Sequence, residues 1–207
     1  MTTNHPLSQT SEPLTLMHID VQFVDIRELA NSLAHINRHN ARTVRPISEA
    51  EHALHTMQVL QSDYEVSDPC ALLACLLHGA HTMFTGTPSP GVQVLMGPAW
   101  SLVEAGTRAA LMRRWGVWTA YSAHQVCIHG ASQFVDSAEC SQLMTDGHHH
   151  YRALIQRRPA PAWLGLASMH HSAQEWAHLY QTQFQILLDD IAAGHERQSA
   201  THLNATA

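Results

Sequence analysis

Apolar residues recur three and four positions apart through most of the chain, and a strict apolar–polar alternation is sustained nowhere. Asp25 with Glu28 marks a helix start, followed by a stripe of Ile26, Leu29, Leu33 and Ile36. Ser48 with Glu51 starts a second helix carrying His52, Met57 and Leu60. Asp68-Pro69 sets a capping residue before a first-turn proline, and the third helix is expected to run through LLACLLHGAHTMF to Gly86. Pro88, Pro90, Gly91, Gly97 and Pro98 predict a loop with at most a short helix. A fourth helix is expected over Trp100 to Trp115 and a fifth over Ala120 to Met144. A last helix, capped by Ser172 and Glu175, carries Trp176, Leu179, Gln183, Leu187 and Ile191. Residues 1–20 and 194–207 are polar and aperiodic, predicting a loose arm and tail around an all-α domain over 21–193 with about six helices.

Composition narrows the function classes. Hydrophobic residues make up 45% of 207, enough for one core and too many for a disordered chain. No apolar run approaches the ~20 residues that cross a bilayer. The first twenty positions carry no Lys or Arg, which speaks against a secretory leader. Net charge is -6 and every basic residue is arginine, giving no general pull towards nucleic acid. Cys70, Cys75, Cys127 and Cys140 lack metal or disulfide spacing, so reduced thiols in a cytoplasmic protein are expected. Eighteen histidines are the unusual quantity, because protonating all of them would swing the net charge to +12. His148-His149-His150 and His170-His171 read as adventitious metal contacts or solvated residues, and Trp115 and Trp118 as core or cavity wall. Arg113-Arg114 and Arg157-Arg158 are too short for a nucleic-acid patch.

The chemistry-bearing segments are IRELANSLAHINRHNART, PISEAEHALHTMQVL, DPCALLACLLHGAHTMFTGTPSP and IHGASQFVDSAECSQLM. In order and spacing they resemble the small bacterial, phage and plasmid HD-domain metal-dependent phosphohydrolases, near the 5'-nucleotidase-like branch. AWLGLASMHHSAQEWAHLYQTQFQILL matches that family's C-terminal helix in character. The resemblance implies an HD-like helical bundle, with His52 and His78 as metal ligands and Arg38 facing a substrate phosphate. It also implies departures. Gly79 and Ser132 stand where two ligand Asp residues are expected. Thr82 replaces a glutamate that orients the attacking water, and Thr87 replaces an acid at the loop end.

Two imidazoles without carboxylates are a poor seat for a hard dication, and without the ion no water is acidified. The resemblance therefore implies a catalytically impaired protein with a divalent metal (Mn, Co, Zn or Ni) held weakly or not at all. It would keep a pocket for a nucleotide or other phosphate ester, or serve a protein partner. The alternative is an active (deoxy)nucleotide phosphohydrolase whose site is rewired through His55, His81 and His129, which lie three residues from His52, His78 and Ser132. On that alignment, restoring Gly79→Asp, Thr82→Glu and Ser132→Asp should return some metal affinity. A homodimer is a family-level expectation, and a merely structural or metal-buffering role is a third class.

Overall fold

Four of the helix starts follow the capping residues. In the computed structural model, which describes residues 21, 24–145, 162–169 and 171–205, eight α-helices are present among those residues. They are α1 (Ile26–His35), α2 (Glu49–Asp63), α3 (Pro69–Leu76), α4 (Thr82–Thr85), α5 (Pro90–Met96), α6 (Pro98–Arg114), α7 (Trp118–Gln142) and α8 (Ala173–Ala205). The Asp25 side chain accepts from the Arg27 N–H, Ser48 from Glu51 and Asp68 from Cys70. Ser172 and Glu175 close a reciprocal capping box. No strand occurs among the described residues, only isolated bridges pairing Asn37 with Ser48 and Thr43 with Met144. The all-α expectation therefore holds.

Helix α2 sits at the centre, packed on α3 and α7, while α8 lies across α1 and α3. Leu29, Leu33, Ile47, Leu60, Leu73, Leu76, Leu77, Leu111, Ile128, Tyr180 and Phe184 form its fully buried interior. Each such side chain contributes roughly 1.5–3 kcal/mol of apolar transfer. At Gly130 of α7 the absence of a side chain admits Tyr64 from the end of α2, since a Cβ there would collide with the Tyr64 hydroxyl.

Two sequence expectations change. The third helix does not continue to Gly86: it ends at Leu76, and turns over 77–81 separate it from α4. Leaving the helix exposes carbonyls, and each finds a donor. Tyr180 Oη donates to Leu76 O (2.9 Å), Arg108 Nε to His78 O (2.9 Å) and Thr82 Oγ1 to Gly79 O (2.8 Å). The loop with at most a short helix expected before Trp100 does carry one, the seven-residue α5. The last helix runs through Gly194 to Ala205 where a loose tail was expected, because one glycine only weakens a helix. The arm at 1–20, His148–His150, Arg157-Arg158 and His170 lie outside the described residues.

Candidate functional site

The motif positions converge on one cavity of about 320 Å³, lined by Arg38, His52, His78, Gly79, His81, Thr82, Thr87, His129 and Ser132. Helix α2 supplies His52 from its first turns. The broken segment after α3 supplies His78, Gly79 and His81, while α7 supplies His129 and Ser132 one turn apart. His55 does not line it: its ring packs edge-on to Trp176 (5.7 Å between centroids), and its Nδ1 donates to Gln58 Oε1 (3.2 Å). Trp115 and Trp118 also lie off the cavity, against Phe184 and Tyr121 respectively.

The cavity is not short of carboxylates, contrary to the expectation drawn from the motif positions. Glu49, Glu104, Asp136 and Glu139 are all close to it, Glu139 just beneath the lining. Glu49 lies one turn before His52, and Asp136 and Glu139 lie four and seven residues beyond Ser132, so helical spacing on the same faces was the available signal. Arg108, on α6, had no such signal.

Three of these carboxylates, Glu49, Asp136 and Glu139, surround Arg38. Its Nη1 donates to both oxygens of Glu49 (2.9 Å each), Nη2 to Asp136 Oδ1 (2.7 Å) and Nε to Glu139 Oε2 (3.1 Å). Burial opposes the charge on this guanidinium, but Glu139, Glu49 and Asp136 outweigh it and hold its pKa well above the ordinary value. Burial likewise opposes ionisation of Glu139, yet Arg38, His52 and His39 hold its carboxyl well below the usual range. The turn at Arg38–Ala41 makes this possible. His39 (φ 58°) and Asn40 (φ 50°) occupy the left-handed region, so His39 is brought onto the same Glu139 oxygen as Arg38 Nε.

The replacements at the motif positions have filled roles. A Cβ on Gly79 would lie 3.3 Å from Glu49 Oε2, so a carboxylate from α2 occupies the space beside position 79. Thr87 Oγ1 donates to Glu49 Oε1 (2.8 Å). His52 is held at both ring nitrogens, by Glu139 Oε1 at Nδ1 (2.8 Å) and Ser132 Oγ at Nε2 (3.0 Å). A carboxylate only accepts, so Nδ1 donates, and in the neutral ring Nε2 accepts a hydrogen bond from the Ser132 hydroxyl.

The opposite wall is imidazole. The His78 and His129 rings meet edge to face at 4.7 Å, and His81 Nε2 lies 3.4 Å from Glu104. Burial first, and Arg108 second, lowers all three pKa values: His78 well below the ordinary 6.5, His81 to about 3, and His129 in the same direction. All three are neutral at pH 7. Their donor atoms nevertheless do not form a close set with His52. The one trio of ligand atoms within 4.8 Å of one another, among the described residues, is His52, Asp136 and Glu139. In that trio Arg38 already occupies the two carboxylates and Ser132 the second nitrogen of His52. The residues at the HD positions therefore do not fit the dication that the resemblance implies. Compared with protein-family models and with curated proteins, the chain matches none.

Proposed function

We propose that the chain is an HD-like phosphohydrolase relative without turnover, whose cavity binds a small phosphate ester of the nucleotide class. The observation that carries this reading is the engagement of Arg38: all three of its nitrogens donate to carboxylates in the place where catalysis would need an ion and an activated water. Thr82, where a proton-accepting glutamate is expected, instead caps the Gly79 carbonyl.

A cavity of about 320 Å³ is within the range of small-molecule pockets. In this reading phosphate recognition passes from Arg38 to Arg108, with the neutral imidazoles of His78, His81 and His129 beside it. Four carboxylates against two guanidiniums disfavour a bare anion. A nucleotide offers hydroxyl and amino donors for Asp136 and Glu104 as well as a phosphate for Arg108, and so suits a wall of mixed sign.

Thermal unfolding in EDTA with nucleoside monophosphates, nucleosides and inorganic phosphate tests the reading. A nucleotide should raise the midpoint more than its nucleoside or phosphate alone, by mass action on the folded state. Phosphate release with Mn²⁺, Co²⁺ or Zn²⁺ should stay at the protein-free rate. Metal-dependent turnover would instead support a histidine-rewired hydrolase, and indifference to every nucleotide at millimolar concentration would remove the ligand class.

A further inference from the structure

We propose that the Arg38 guanidinium is the resident cation of a cage able to seat a hard divalent ion, and that withdrawing it lets His52, Asp136 and Glu139 bind such an ion. The donor atoms of these three residues lie within 4.8 Å of one another. They are already arranged around a positive charge, with Nη2 2.7 Å from Asp136 and Nε 3.1 Å from Glu139. Glu49 adds a third carboxylate at 2.9 Å, so three anions surround one monocation. Removing it would leave buried, mutually repelling carboxylates, the condition that a divalent ion relieves.

A second observation comes from the same cavity. Nδ1 of His78 and Nδ1 of His81 are buried without a hydrogen-bond partner, and His81 is only 6% exposed. Both rings line the same cavity as His52 and Asp136, so buried nitrogens without partners face the space beside the trio. In the native chain the guanidinium excludes the ion, because two cations cannot share the same oxygens at contact distance. The inference rests on the non-hydrolytic reading in one respect: the native protein is taken to hold no ion at these carboxylates.

Mn²⁺ is the probe, since oxygen donors favour it while surface histidines prefer softer ions. For the untagged full chain, the unfolding midpoint in EDTA and in 1 mM Mn²⁺ should agree within about 1 °C, as mass action predicts for an ion that does not bind. Arg38→Ala should lower the midpoint in EDTA by roughly 6–20 °C, the range for uncovering buried charge in a chain of this size. Mn²⁺ should return at least about half of that loss, with one tight equivalent by electron paramagnetic resonance, and R38A/D136N should lose the recovery. Should R38A not fold, R38A/E49Q removes an anion together with the cation and keeps the three donors. It is expected to fold and to gain stability from Mn²⁺. No Mn²⁺-dependent gain in either variant, or a native chain that loses stability in EDTA, overturns the inference. Phosphate release by the native chain would sink the functional reading instead, so the two failures are separable.

Discussion

Glu49 and Gly79 are thirty residues apart in sequence, and one occupies space beside the side chain the other lacks. A Cβ at position 79 would meet Glu49 Oε2 at 3.3 Å, and that carboxylate is clamped to Arg38. Gly79→Asp alone therefore brings two carboxylates together in a buried site. We expect it to destabilise the protein by about 1–3 kcal/mol at neutral pH, measured by urea unfolding. The penalty should shrink as pH falls, because two adjacent carboxylates can share one proton. Unchanged stability would mean that Glu49 can swing away at no cost. His52, His78, Arg38, Thr82, Thr87 and Ser132 were legible from motif order, and the structure gathers all six at one cavity. Glu49, Asp136 and Arg108 were not assigned roles, because ion-pair partners supplied by other elements leave little mark on local sequence.

At the level of elements, capping chemistry located the starts of α1, α2, α3 and α8 well, since each start depends on a side chain two or three residues from its own donor. The end of α3 was not legible. Its apolar run continues unbroken to Leu77, and what stabilises the break is remote: Tyr180 from α8 and Arg108 from α6 satisfy the freed carbonyls. Tyr180→Phe tests this directly. It keeps the ring in its fully buried slot and leaves Leu76 O without that donor, so a loss of about 1–3 kcal/mol is expected. Hydrogen exchange should quicken in α3 and the 77–81 turns before it does in α7. A uniform change across the bundle would argue that the hydroxyl does not anchor the break.

For the whole molecule, the histidine-rich composition becomes a pH dependence with a definite sign. His78, His81 and His129 have folded pKa values below the ordinary 6.5, so the unfolded chain takes up protons first as pH falls. The stability they contribute is present above about pH 6.5 and is lost progressively below it. Glu139, also depressed, acts in the same direction below the usual carboxylate range near 4.5. The unfolding midpoint should therefore fall steadily from pH 7.5 to 5. His81, with a folded pKa of about 3, should account for about 2 kcal/mol of the loss between pH 6.5 and 5. His81→Gln should flatten the curve over that window, and a midpoint independent of pH there would mean that these rings titrate freely in the native state. Composition gave the number of histidines but not which ones are buried beside Arg108.

A charge carried on the polypeptide itself cannot dissociate. Because Arg38 is synthesised with the chain, its occupancy owes nothing to metal supply, and neither chelators nor scarcity can empty it. On the proposed reading, the same permanence makes any route to ion-dependent hydrolysis steep. Restoring one ligand aspartate would meet Glu49, while discarding the arginine first would strand three buried anions. An ion-dependent enzyme on this scaffold would need several coordinated substitutions at once, with each single step disfavoured.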